Sequence, residues 1–370
     1  MTMTLTAKIR LLPTEKQIKL LKETSDAYKQ GCNYVSKAIY ESLELSQKKL
    51  HLQTYYPLRS KFGLKSQMAQ SVLKTVIARY KSLQANNQDW TLVNFKLPEY
   101  DLVYNRDYSL TEEYFSLNTL EGRTKVKYNN TAFEQYFDGS WHFGTAKLVN
   151  KHGKWFLHIP FSKEVEDTKP AEITNVVGVD LGINFLATAY DSEGKTTFYN
   201  GRYIKDKRAK YKRLRKQLQK RQTPSARKRL KAIGQRENRW MTDVNHCVSK
   251  ALVEKYGSNT LFVIEDLSGI RAATEKVRIK NRYVQVSWAF YELRKFLEYK
   301  SQKSGAMTIA VDPKYTSQTC PKCGHVDKNN RDKKKHIFCC KECGYTSNDD
   351  RIGGMNLHNK GIKYLQAVAI

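Results

Sequence analysis

Two sets of residues in this 370-residue sequence have types and spacing suited to chemistry. The first is a pair of cysteine knuckles, Cys320-Pro-Lys-Cys323 and Cys340-Lys-Glu-Cys343, separated by sixteen residues and each followed by a glycine, Gly324 or Gly344. Two such knuckles supply four thiolates for a tetrahedral zinc site, and the glycines suit turns in which backbone N–H groups point at sulfur. Four protein ligands leave no open coordination position, so a single Zn²⁺ here would be structural. Cys339 competes with Cys340 for the fourth place, but Cys340 is the one with knuckle spacing to Cys343. The second set is three carboxylates far apart in the chain: Asp180, Glu265 and Asp350. If brought together they would offer hard oxygen ligands to a pair of Mg²⁺ ions, the arrangement that serves phosphodiester hydrolysis. Singly, each has a plainer role: Asp180 opening a turn, Glu265 as one of two acids ending a strand, Asp350 or Asp349 capping a helix.

The elements expected around these acids make the joint reading stronger. Val176–Val179 reads as a short strand ending at Asp180, followed by strands at Phe185–Tyr190 and Thr196–Asn200. A basic helical stretch over about 205–256 leads to a strand Leu261–Asp266 with Glu265 at its end, a helix around Val286–Gln302, and a strand Met307–Asp312. Asp350 precedes a terminal helix expected over Arg351–Asn359. A three-stranded meander followed by alternating helix and parallel strand is the order of a ribonuclease-H-like nuclease core. Earlier in the chain, residues 3–12 read as a strand and Pro13-Thr14 opens a helix with capping-box spacing to Gln17. The stripes Tyr28, Cys32, Val35, Ile39, Leu43 and Ala69, Leu73, Val76, Tyr80, Leu83 continue a helical block to about 88. Residues 92–168 turn to β, with a hairpin of Thr145–Val149 and Trp155–Phe161 about Gly153. This order reads as a β-rich domain into which the helical block is inserted after the first strand.

Charge points to the partner. Lys and Arg number 65 against 36 Asp and Glu, a net charge of +29, which calls for a polyanion. Sixteen of those cations fall between 205 and 239 against Asp206 and Glu237, a local excess of +14. Such a helical hairpin can track a nucleic-acid backbone, with Lys207, Arg208, Lys212, Arg213, Arg215, Lys216, Arg227 and Arg229 as candidate contacts. Beyond it, Trp240, Val244, Cys247, Val248, Ala251 and Leu252 form an apolar stripe, so Cys247, like Cys32, reads as a small core residue and His246 as structural. The basic segment Lys328–Lys335 between the knuckles is a further phosphate candidate. Of the 23 tyrosines most are expected to serve core or surface packing, and some could stack on ribose or unpaired bases. Short apolar runs and the lack of a secretory h-region lead us to expect a soluble cytoplasmic or nucleoid protein without membrane or small-molecule partners. Seven cysteines in a chain this long do not make a disulfide scaffold.

Four stretches together resemble the TnpB family of RNA-guided DNA nucleases encoded by insertion sequences, relatives of the type V CRISPR effectors. They are Val177-Gly-Val-Asp180-Leu-Gly-Ile183, Val263-Ile-Glu265-Asp-Leu267, Val311 to Gly324, and Phe338 to Gly344 running on to Asp350 and Asn356-Leu357. The resemblance is strong over about 171–360 and weaker over Leu11–Gln17. It implies an α+β multidomain protein. A β-barrel-like WED domain would span 1–12 and 89–170, with a helical REC domain inserted at 13–88. An RNase H-like RuvC domain would span 171–314 and 345–370, with a zinc-ribbon target-nucleic-acid-binding module at 315–344. Asp180, Glu265 and Asp350 are then the expected catalytic triad, holding two Mg²⁺ for which Mn²⁺ could substitute, and the four cysteines the expected zinc ligands. The implied partners are a noncoding guide RNA from the transposon end and double-stranded DNA beside a short flanking motif. A catalytically weak RNA-guided repressor and a compact CRISPR effector are the alternatives. No His-hydrophobe-His motif of a single-strand transposase is present. One departure stands out: Ile352-Gly353-Gly354 occupies places where the family usually has Asn and two Ala. Two glycines inside a helix cost about 1 kcal/mol each against Ala, which leads us to expect a looser final helix.

Overall fold

The computed structural model describes residues 2–97, 99–129, 133–151, 153–182, 184–267, 290–332 and 335–368. Ile183, the expected helix start at Val286–Ala289 and Lys333–Lys334 lie outside the described residues. The fold is mixed α and β and forms two units, one spanning Thr2–Glu164 and the other beginning at Val165.

The first unit starts with strand β1 (Thr2–Leu12) and continues as helices α1 (Glu15–Ser42), α2 (Gln47–Phe62) and α3 (Ser66–Ala85). It returns as strands β2 (Tyr100–Leu102), β3 (Tyr108–Leu110), β4 (Tyr114–Thr119), β5 (Gly122–Tyr128), β6 (His142–Phe143), β7 (Ala146–Lys151) and β8 (Lys154–Glu164). Thr14 caps α1 as its spacing suggested: Gln17 N–H donates to Thr14 Oγ1 and Thr14 N–H to Gln17 Oε1. Strand β1 pairs with β8 on one side and β5 on the other, so the helices leave and re-enter a single sheet. That sheet runs β2-β7-β8-β1-β5-β4-β3, with β6 on β8. Its two ends, β2 and β3, are consecutive in the chain and joined by residues 103–107, so the sheet nearly closes on itself. Asp107 holds the joining loop by accepting the Val103 N–H. Cys32 is fully buried among the helices, as its stripe predicted.

The second unit is built on strands β9 (Asn175–Asp180), β10 (Phe185–Tyr190), β11 (Thr196–Asn200), β12 (Thr260–Glu265) and β13 (Met307–Val311) in the order β11-β10-β9-β12-β13. The first three are antiparallel, and β12 runs parallel to β9 and to β13. Helices α4 (Arg202–Arg221), α5 (Pro224–Tyr256) and α6 (Phe290–Lys303) lie between these strands in sequence. One core joins Val177, Val179, Phe262 and Ile264 of the sheet to Met241, Val248 and Leu252 of α5 and Leu293 and Leu297 of α6. Cys247 is exposed, contrary to its expected place in that core. Its neighbours Val248 and Leu252 take the inward positions of α5. A small sheet of β14 (Arg331–Asp332), β15 (Ile337–Cys339) and β16 (Thr346–Asn348) runs directly into helix α7 (Asp349–Val368).

Helix α7 is longer than the expected Arg351–Asn359 and starts earlier, because Asn348 caps it. The Asn348 Oδ1 accepts the N–H groups of Asp350 and Arg351, both at 3.1 Å. The glycine pair does not loosen it either; α7 runs unbroken through both residues. A Cβ on Gly353 would lie 2.6 Å from Asp180 Oδ2, and one on Gly354 3.2 Å from Thr188 O. Facing them on β9, a Cβ on Gly178 would meet Gly354 O at 2.1 Å and His358 N at 2.3 Å. Farther along α7, a Cβ on Gly361 would strike Val263 and Val176. The glycines are the condition for helix backbone to lie on strand backbone, and the propensity cost is offset by that contact.

Gly178→Ala is therefore expected to lower stability by about 1–3 kcal/mol or more, since both obstructing atoms are backbone. Gly234→Ala in α5, where a Cβ would meet nothing within 4 Å, is expected to raise stability by about 1 kcal/mol. Thermal or urea unfolding of the two variants would measure both.

Candidate nuclease centre and metal cluster

The cysteine knuckles fold as their spacing requires. Gly324 N–H donates to Cys320 O and Gly344 N–H to Cys340 O, with both glycines at positive φ, 78° and 70°. The four sulfurs of Cys320, Cys323, Cys340 and Cys343 lie within 4.8 Å of one another. Cys320 and Cys343 are 3.6 Å apart and Cys323 and Cys340 3.5 Å, close to the roughly 3.8 Å edge of a tetrahedron with zinc–sulfur bonds of about 2.3 Å. The N–H of Cys343 points at Cys340 Sγ and holds that thiol down to about 6, favouring the thiolate that a metal needs. The cluster is compatible with a zinc site. Cys339 stands outside it.

The carboxylates are positioned by three different elements. Ile264 pairs with Val179, so Glu265 comes level with Asp180 at the ends of adjacent parallel strands. Asp350 sits in the first turn of α7, which the glycine contact presses onto Asp180. Burial, together with the like charges of Glu265 and Asp350, pushes the Asp180 carboxyl well above the usual carboxylate range. Burial also raises Glu265, opposed by a hydrogen bond from Thr316 Oγ1 and by the cations Lys360 and Arg331. Asp350 is raised by burial and by its neighbour Asp349, with Arg331 and His336 acting against the shift. The oxygens of Asp180, Glu265 and Asp350 are hard donors of the kind that divalent cations take.

Sequence reasoning missed the groups that hold these acids. Asp349, only 1% exposed, accepts from Arg331 Nε at 2.8 Å, and Arg331 Nη2 also lies 3.8 Å from Asp350 Oδ1. His336 Nδ1 approaches the other Asp349 oxygen at 3.5 Å, and His336, Asp349 and Asp350 place their ligand atoms within 4.8 Å of one another. Asn356 on α7 donates to Thr316 O and Thr319 O, fixing the loop that carries the Glu265 partner to the first knuckle. The run Asn348-Asp349-Asp350 was a visible helix-start signal; nothing in the sequence pointed to Thr316 or His336.

The basic stretch forms a helical hairpin, α4 and α5, joined at Gln222-Thr223 with Thr223 capping α5 and Leu218, Ala226 and Ile233 buried between the arms. Three of the eight candidate contacts are engaged inside it. Arg208 is buried, and both it and Arg215 form ion pairs with Glu237, while Lys207 lies 4.3 Å over the Trp240 ring. Glu237, one of two acids in the cationic run, is thus the hairpin's internal counter-ion. Lys212, Arg213, Lys216, Arg227 and Arg229 are exposed. His246 stacks on Phe296 at 3.8 Å, a packing role.

Comparison with known proteins bears on the same regions. Residues 158–271 match the family described as Probable transposase (OrfB_IS605), and residues 290–357 match the Cas12f1-like TNB domain. The TnpB-like protein of Methanocaldococcus jannaschii is 28% identical over 63% of this chain and 83% of its own length. The chain is similar in sequence to this TnpB-like protein. A putative RNA-guided DNA endonuclease InsQ of Escherichia coli is 31% identical over 55% of this chain and 53% of that one. The CRISPR-associated endodeoxyribonuclease Cas12f1 of Syntrophomonas palmitatica is 28% identical over 66% and 52%. The chain spans about half the length of the latter two. A solved structure of the mini RNA-guided endonuclease CRISPR-Cas_phi3 superposes with a TM-score of 0.52 at 11% identity, covering 97% of this chain and 92% of that one, a likeness of fold. Among the described residues no helix is long and apolar enough to cross a membrane.

The raised Asp180 makes a signed prediction. Between the ordinary carboxylate value of 3.8 and its raised one, the folded chain binds a proton that the unfolded chain does not, so stability falls as pH rises through that window. In chelating buffer Asp180→Asn is expected to melt higher than the parent at about pH 8, and the two to converge below about pH 4.

Proposed function

We propose that this chain is an RNA-guided DNA endonuclease encoded by an insertion sequence, cutting DNA phosphodiesters at a RuvC-type site of Asp180, Glu265 and Asp350. The observation that supports the reading is the placement of three desolvated carboxylates at the ends of β9 and β12 and the start of α7, with Glu265 and Asp350 raising Asp180 by their like charge. In this reading the second unit is an RNase H-like domain interrupted by a zinc ribbon at 315–344. The first unit combines WED-like segments, 1–12 and 89–170, with a REC-like helical insertion at 13–88. Two Mg²⁺ ions, or Mn²⁺ in their place, when bound would polarise the scissile phosphate and activate water. Asp180 and Glu265 present their oxygens side by side from neighbouring strand ends, and Asp350 closes the set from the helix. Thr316 orients Glu265, and Arg331 offsets the negative charge of Asp349 and Asp350. Cys320, Cys323, Cys340 and Cys343 would hold one structural Zn²⁺. The guide RNA would read sequence by pairing while protein contacts read backbone shape and a short flanking motif.

The test begins with expression beside the native flanking DNA, purification at high salt, and sequencing of the bound RNA. A single species with a constant scaffold mapping to the flank is expected, and the loaded complex should nick supercoiled target plasmid only with Mg²⁺. Asp180→Ala should lose at least about a hundredfold in rate, on the scale seen when one charge-stabilising group is removed. Retained Mg²⁺-dependent cleavage in that variant would sink the site assignment, and binding without any cleavage would favour the repressor.

The exposed cations of the hairpin make a separate prediction. Each of Lys212→Gln and Lys216→Gln should weaken nucleic-acid binding regardless of sequence and flatten the log–log salt dependence by about 0.7–0.9 for each phosphate no longer neutralised. Slopes equal to the parent's would place the binding surface elsewhere.

A further inference from the structure

The loop between the two knuckles reaches back to the carboxylates through one histidine. His336 has a left-handed backbone, φ 56°, which turns its carbonyl and its ring toward the start of α7. Its carbonyl accepts the Asp349 N–H at 3.3 Å and Asn348 Nδ2 at 3.4 Å. Its Nδ1 lies 3.5 Å from Asp349 Oδ1, and both atoms are buried with no hydrogen-bond partner among the described residues. On the other side of the ring, Nε2 lies 2.9 Å from Asn184 Nδ2, and Asn184 Oδ1 accepts from Lys205 Nζ at 3.1 Å. The lysine can only donate, so it fixes the Asn184 amide with its NH₂ toward the ring. Nε2 must then accept, and the ring proton sits on Nδ1, on the side of the ring nearer Asp349.

We propose that Asn184 and His336 are positioning residues that lock the first turn of α7, and with it Asp350, against Asp180. The chain of contacts Lys205–Asn184–His336–Asp349 joins four separate parts of the second unit: the basic helix α4, the loop after β9, the cysteine module and α7. The module is thereby a clamp on the third carboxylate as well as a structure in its own right. In this inference His336 acts through Asp349, which its ring approaches at 3.5 Å. The functional consequence rests on the nuclease reading, while the positioning itself does not. Groups that orient metal ligands from behind typically change metal affinity by 10–100-fold when removed.

The experiment measures Mn²⁺ binding to the full chain by the loss of the free-ion electron paramagnetic resonance signal, with Asp180→Ala defining the site. His336→Ala should weaken binding about tenfold while zinc content stays unchanged. His336→Gln, whose amide can accept from Asn184 and donate to Asp349, should restore most of it. The losses from His336→Ala and Asp349→Asn should not add, and Asn184→Ala should behave like a milder His336→Ala. Parent-like affinity in His336→Ala, additive losses, or equal losses in the Ala and Gln variants with release of zinc would each overturn the inference. Long-range ¹H–¹⁵N correlation of the imidazole needs neither metal nor cleavage: a proton on Nδ1 is expected, and one on Nε2 would overturn the inference. Mn²⁺ binding that responds to His336 in a chain that never cuts would sink the nuclease reading and leave the clamp standing.

Discussion

The second unit depends on one contact made without side chains. Where β9 passes under α7, Gly178 faces Gly353 and Gly354, and strand and helix meet backbone to backbone. A Cβ on Gly178 would drive into the α7 backbone and one on Gly353 into the Asp180 side chain, while one on Gly354 would press more lightly on Thr188 and Tyr190. Propensity alone scores the glycine pair as a fault in α7, whereas at this contact it is the only composition that fits. Local preference and tertiary demand disagree there, and such disagreements tend to fall at functional sites.

The close contact has an electrostatic cost. It presses a third carboxylate into a place where two others already stand at adjacent strand ends, and burial denies all three the water that would stabilise their charge. The fold meets this with a ring of partial compensation: Arg331 against Asp349 and Asp350, Thr316 against Glu265, Lys360 beyond it. None of these cancels the cost of burial, since all three carboxyls remain raised.

Much of this was legible in the sequence, and the reasons are physical. The strands around Asp180 and Glu265 are short apolar runs bounded by turn residues, and knuckle spacing leaves few alternatives for four cysteines. Register then follows from parallel pairing, so two of the acids could be placed side by side on paper. What could not be read was anything set by distant contacts. Arg208 and Arg215 looked like phosphate ligands because their partner, Glu237, is an isolated acid whose side chain meets them only once the hairpin closes. Cys247 kept the period of the α5 stripe yet faces outward, because a stripe has edges that periodicity does not mark. His336 and Thr316 were silent, since neither belongs to a repeating pattern and both act on residues at a distance along the chain.

The separation along the chain carries its own consequence. Asp180 and Asp350 stand 170 positions apart, and the strand, the loop and the cysteine module that align them all precede α7. During synthesis, β9 and β12 can pair while α7 is still inside the ribosome, and the long loop closure makes helix docking a late event. A nascent chain therefore exposes its basic hairpin before its three acids are assembled. Order of synthesis alone separates the two surfaces in time.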